Sequence, residues 1–202
     1  MVRTGETNFG DLCADAYRAI SGADIAIVNG GSVRTDLPAG DITYRQLIEA
    51  YPFDNELTVV EATGQEILDA LELSASKLPG EFGGFLQVSG MSYSIDMSVE
   101  STVKLDAAGM FVSIEGERRI RDVTVGDEPL DPAKTYTLAS HAYKLKNMGD
   151  GYTMFTDNVL LADSIMLGNQ VILNYIVDVL GGVVGEEYAD PYGQGRITII
   201  NG

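Results

Sequence analysis

The sequence predicts an α+β domain with α/β-like interleaving: one unit, mixed β-sheets, and helices packed against them. Three observations lead there. Helix and strand patterns alternate early in the chain while its middle is mostly short strands, a mixture that disfavours a pure βαβ array. No internal repeat, low-complexity tract or long linker divides it. Its 202 residues suffice to bury one sizeable core, so a single domain is expected over 1–202.

In chain order, Thr7 or Asn8 can cap a first helix, expected to carry Leu12, Ala16, Ala19 and Ile20 on one face. Residues 25–28 are continuously apolar and read as a buried strand. Thr43 with Gln46, and Thr63 with Glu66, have capping-box spacing and open the next two helices. Pro52 closes the first of these, and Ile67, Leu68, Leu71 and Ala75 form the buried stripe of the second. Residues 57–62 read as the strand between them. A flexible turn at 80–84 precedes 86–95, which alternate as one strand. Further strands are expected at 103–105, 111–114 and 119–125. The turn Asp127-Glu128-Pro129 and the pair Asp131-Pro132 lead into a strand at 136–140. A late helix at 171–180, stopped by Gly181-Gly182, and a final strand at 196–200 complete the set.

The formal net charge is −17, which argues against duplex nucleic acid or an anionic membrane as a partner. A phosphate site would then need its own local arginines. No apolar run approaches the roughly 18 residues of a membrane helix, and no basic-plus-apolar leader opens the chain. The single cysteine, Cys13, excludes an intrachain disulfide and reads as a packed thiol. Arg118, Arg119 and Arg121, with Glu115 and Glu117 beside them, read as an exposed strand face; Glu186, Glu187 and Asp106 read as solvated.

The most informative stretch runs from Asn29 to Glu72. Asn29-Gly30-Gly31-Ser32-Val33-Arg34 follows the apolar strand. Glycines let a backbone approach a ligand closely, and an arginine can fork onto phosphate. Phe53, on a loop after Pro52, offers a face for a planar base, and the Asn55 amide both donates and accepts. This suggests a nucleotide site of neither the dinucleotide nor the P-loop kind, since G-x-G-x-x-G and G-x-x-x-x-G-K-[ST] are absent.

These segments resemble the C-terminal domain of the 5′-nucleotidase family, which includes UDP-sugar hydrolases and 2′,3′-cyclic phosphodiesterases. The likeness includes Glu6-Thr7-Asn8-Phe9-Gly10-Asp11-Leu12, Gly84-Phe85-Leu86-Gln87-Val88-Ser89-Gly90, Lys134-Thr135-Tyr136-Thr137-Leu138-Ala139, Gly149-Asp150-Gly151-Tyr152 and Gly195-Arg196-Ile197, in the family's order. The resemblance implies that Phe53 and Tyr143 sandwich the base and that Asp150 takes the ribose hydroxyls. It puts Arg34 and Arg3 near phosphate, Gly83 where the base needs room, and Asn29 and Asn55 beside the ligand. The loop before Asp150 departs from the pattern: Tyr143 stands seven residues ahead instead of six, and Met148 replaces a glycine. Lys144 and Tyr152 are therefore alternatives nearer the base.

The resemblance further implies an N-terminal metallophosphatase domain in cis, holding two divalent metal ions and the catalytic Asp–His pair. With one histidine, His141, this chain has no such set, so no catalytic residue and no metal are expected in it. His141 is expected to be structural, or a support for ligand-binding residues. The expected reading is a substrate-recognition part of a longer enzyme acting on a nucleoside mono- or diphosphate, a UDP-sugar or a cyclic nucleotide. Its expected place is periplasmic, secreted or cell-wall associated, and without a leader the chain reads as a shortened one. The rivals are a stand-alone binding or adhesin-like module and a self-contained hydrolase built on His141.

Overall fold

The computed structural model describes residues 1–200. Helix α1 (Asn8–Ser21) starts where the Thr7 hydroxyl accepts from the Gly10 N–H, and ends at Gly22 in the left-handed region. Its buried face holds Leu12, Cys13, Ala16 and Tyr17, one step round from the expected stripe, so that Ala19 is exposed. Strand β1 (Ile25–Asn29) is buried throughout. Both capping boxes form, opening α2 (Tyr44–Ala50) and α3 (Gly64–Ala75) around β2 (Leu57–Thr63).

The alternating stretch that follows is two strands, β3 (Leu86–Ser89) and β4 (Met91–Asp96), where one was expected. Gly90 breaks it at φ +79°, and a Cβ there would lie 2.2 Å from the Asp24 carbonyl. The middle supplies β5 (Val103–Leu105), β6 (Phe111–Ile114), β7 (Ile120–Val125) and the short β8 (Glu128–Pro129). Next come β9 (Thr135–His141), the four-residue helix α4 (Ala142–Leu145) and β10 (Leu160–Ala162). The late helix is α5 (Gly168–Asn174), loosening into a π turn over Tyr175–Val179, and β11 (Ile197–Ile200) is last. Sequence periodicity gave no sign of β8, α4 or β10, each too short to show one.

Five strands form a mixed sheet in the order β10-β2-β9-β1-β3. Alternation along β1 sends Ile25 and Ile27 into one core and Ala26 and Val28 into the other. The first core lies against α3 and the four-stranded sheet β11-β4-β7-β8; the second lies against α1 and α5.

Two polar networks tie these layers. Arg119, expected on an exposed face, is buried and donates to the carbonyls of Ala75, Leu78 and Val99. Arg118 pairs with Asp69 at 2.5 Å and Arg121 with Glu117 at 2.5 Å. The loose carbonyls after α3 need donors, and Arg119 supplies them at Ala75 and Leu78. The second network docks β11. Arg196 forks onto Asp15 at 2.8 and 2.7 Å, while Glu6 accepts from the Gln194 and Ile197 N–H groups, each at 2.6 Å. Asp11 is fully buried and accepts from the Gln194 N–H at 3.0 Å. Burial pushes its carboxyl up to about 8, against the pull of Arg196.

Candidate functional site

Strand register gathers the chemistry on one edge. β1 and β9 run parallel, so Asn29 and His141 stand at their carboxyl ends. β3 runs antiparallel to β1 with Leu86 opposite Asn29, which brings Gly83 and Gly84 to the same edge. β2 runs antiparallel to β9 with Leu57 opposite His141, which brings the Phe53–Asn55 loop there as well. The carboxyl edge of parallel strands is where open α/β sheets place ligands.

Asn29 is the hub. Its Nδ2 donates to Asp150 Oδ2 at 3.0 Å and to the Gly83 carbonyl at 3.2 Å. That fixes its Oδ1 as acceptor, from Ser32 Oγ at 2.6 Å and His141 Nε2 at 2.8 Å. His141 is fully buried, and burial together with the nearby Lys144 charge lowers its pKa to about 3. It is a neutral imidazole whose Nε2 donates to the Asn29 amide oxygen.

Asp150 lies in the left-handed region at φ +55°, between Gly149 and Gly151. Its Oδ2 also takes Lys144 Nζ at 2.5 Å, and its Oδ1 takes the Tyr143 hydroxyl at 3.2 Å. The Lys144 side chain is fully buried, with Nζ 3.8 Å from the Tyr152 ring centroid. Burial lowers its pKa to about 8, the Asp150 charge opposing. Sequence reasoning missed this partnership; a lysine in a four-residue helix carries no pattern to announce it.

Tyr143 is 37% exposed and Phe53 42% exposed, enough for either ring to meet a ligand. Tyr152, the alternative, is buried with its hydroxyl 2.7 Å from the Gly84 carbonyl. Lys144 is likewise enclosed. The guanidinium of Arg34 stands 5.9 Å over the Phe53 ring, near the outer limit of a cation–π contact. Arg34 also donates to the Gly31 carbonyl at 3.4 Å. Arg3 is half-buried, 3.9 Å from Glu81, and its carbonyl holds the Phe82 N–H. Asn55 is half-buried, its carbonyl accepting from the Gly168 N–H.

Of the two neighbouring glycines, Gly84 is the constrained one. A Cβ there would meet the Phe82 ring at 2.4 Å and Asp150 Cβ at 2.9 Å, whereas at Gly83 the nearest atom, the Gly31 Cα, is 4.0 Å away. Gly31 closes the seam from the other side through its N–H to the Gly83 carbonyl. The site is an open ledge; the hollows beside Asp15 and Arg18, and beside Gly90 and Pro129, contain none of these residues. Among the described residues, no group of three or more His, Cys, Asp or Glu could hold a metal ion. No helix among them is long and apolar enough to cross a membrane.

Fold and ledge define the class: an α+β domain whose polar loops meet at one sheet edge around a single held carboxylate. The chain belongs to the 5′-nucleotidase C-terminal domain family, whose model matches residues 1–157. It is 30% identical to Protein UshA of Escherichia coli (strain K12) over 175 residues, 87% of this chain and 28% of that protein. It is 34% identical to the trifunctional nucleotide phosphoesterase protein YfkN of Bacillus subtilis (strain 168) over 161 residues, 77% of this chain and 10% of that one. The crystal structure of a 5′-nucleotidase precursor from Thermus thermophilus superposes with a TM-score of 0.80 at 29% identity, covering 99% of this chain and 36% of that one. The chain thus spans about a third or less of the length of these relatives.

Proposed function

We propose that this chain is the nucleotide-recognition domain of a longer, metal-dependent nucleotide phosphohydrolase of the 5′-nucleotidase or UDP-sugar hydrolase type. In this reading Phe53 and Tyr143 hold the base, Asn55 meets its edge, and Gly83 leaves it room. Asp150, steadied by Asn29, takes the sugar. Arg34 and Arg3 take phosphate. An N-terminal metallophosphatase domain in cis would hold two divalent metal ions and perform the hydrolysis on nucleoside mono- or diphosphates, UDP-sugars or cyclic nucleotides. The enzyme would work outside the cytoplasm. The observation that carries the reading is the Asp150 carboxylate, held by Lys144 and Asn29 beside the partly exposed Tyr143 ring, in a chain that the family model matches over residues 1–157.

The test is calorimetric titration of adenosine, uridine, AMP and UDP-glucose into this chain, with phosphate release followed in manganese or zinc. Binding without turnover is expected, because no group of three or more His, Cys, Asp or Glu among the described residues could hold the metal ions that the hydrolysis would need. Turnover abolished by His141→Ala would overturn the division of labour. Base–aromatic stacking is worth about 1–3 kcal/mol, so Phe53→Ala or Tyr143→Ala should weaken nucleosides by roughly 5- to 150-fold.

A further inference from the structure

An ionised carboxylate offers roughly four acceptor positions, two on each oxygen. At Asp150 three are taken: Lys144 Nζ and the Asn29 amide both sit on Oδ2, and the Tyr143 hydroxyl sits on Oδ1. A vicinal diol needs two. The donor that closes Oδ2 cannot step aside, since the Lys144 side chain is fully buried and its Nζ lies against the Tyr152 ring. The nearest backbone acceptors are engaged too. The Gly83 carbonyl holds the Asn29 amide and the Gly31 N–H, and the Gly149 carbonyl faces Lys144 Nζ at 3.5 Å and accepts from the Tyr152 N–H.

We propose that Lys144 is a positioning residue that reduces Asp150 from a two-hydroxyl acceptor to a one-hydroxyl acceptor, so that the ledge reads a single sugar hydroxyl and tolerates loss of the other. This rests on the nucleoside reading above and sharpens it: sugars with one ring hydroxyl, deoxyribose included, bind nearly as well as ribose. Lys144 itself never touches the ligand.

The experiment compares adenosine with 2′-deoxyadenosine and 3′-deoxyadenosine, and uridine with its 2′- and 3′-deoxy forms, by calorimetric titration of the unaltered chain. One deoxy isomer of each pair should bind within about threefold of the ribonucleoside. The other should lose roughly tenfold or more, the usual worth of a hydrogen bond to a charged group. Lys144→Met keeps the length and apolar packing while freeing Oδ2. In that variant both deoxy isomers should fall roughly tenfold below the ribonucleoside. A merely structural lysine would instead lower all three together and leave their ratios unchanged, which overturns the inference. If Lys144→Met does not fold, the ratios of the unaltered chain still decide: tenfold losses for both isomers overturn the inference and leave the nucleoside reading standing. If no nucleoside binds at all, the nucleoside reading fails and the inference with it.

Discussion

Asp15 and Asp150 are both carboxylates paired with a cation inside the same small domain, and they are finished differently. Asp15 takes Ser89 Oγ and Arg196 Nη1 on one oxygen, and Tyr188 hydroxyl and Arg196 Nη2 on the other. All of its roughly four acceptor positions are filled by the protein. Asp150 has three filled, and its neighbour Tyr143 is partly open to solvent. The first arrangement can only hold the fold together. The second holds itself and keeps one valence for something else. What separates the two is the unfilled acceptor, since both are paired with a cation.

The comparison breaks most readily at Arg196. Removing one partner of a buried ion pair typically costs about 3–5 kcal/mol, and the Arg196–Asp15 pair is part-buried, which sets that range as its upper limit. Arg196→Met should therefore lower unfolding stability by up to that much in urea titration, while the folded fraction binds nucleoside with unchanged affinity. A loss of affinity larger than the loss of stability would show that the two networks are not separate.

Acidity sharpens the contrast next. The folded Asp11 carboxyl is raised to about 8, above the value of 3.8 it takes when exposed. Between these values the folded chain holds a proton that the unfolded chain has released, so this group's contribution is fully present below about pH 4 and is lost as pH rises toward 8. The slope has a ceiling of about 1.4 kcal/mol per pH unit. Asp11→Asn should flatten that slope in thermal melts from pH 4 to 8. An unchanged slope would mean that another group carries it.

The smallest effect on the fold, and the most selective one on binding, belongs to Arg34. It is exposed, so Arg34→Ala should leave stability within about 0.5 kcal/mol. A guanidinium on phosphate is worth roughly 1.5–3 kcal/mol, so AMP should weaken about tenfold or more while adenosine is unmoved. Equal losses for both would make Arg34 a brace for the Phe53 loop, to whose ring it already lies close.

The legible parts of this molecule are the local ones. Thr43 with Gln46 and Thr63 with Glu66 form their capping boxes within four residues, so spacing alone announces them. Residues 25–28 show a strand because burial on both faces makes the run apolar. The ledge was partly legible through its ordered motifs: Asn29, Gly83, Asp150 and Tyr143 do come together, and Phe53 and Arg34 adjoin them through Gly31. What stayed hidden depends on distant partners. Arg119 is buried because carbonyls at Ala75 and Leu78 call for donors. Gly90 breaks a strand because Asp24 approaches it, and Gly84 is needed because the Phe82 ring and Asp150 do. Lys144 is enclosed because Tyr152 and Asp150 close over it. None of these approaches has a period, and so none is visible from one end of the chain.

The backbone around Asp150 has one more consequence. Met148 and Asp150 both adopt left-handed conformations, at φ +53° and +55°, each less favourable for an L-residue by roughly 1–2 kcal/mol. At Asp150 that expense is met during folding, by the enclosed Lys144 and the Asn29 hub, and not by an arriving molecule. A ligand at this edge would therefore meet a carboxylate already held by Lys144 and Asn29, and would lose little further entropy in ordering it. Recognition on this ledge should be closer to a key entering a cut lock than to a hand closing.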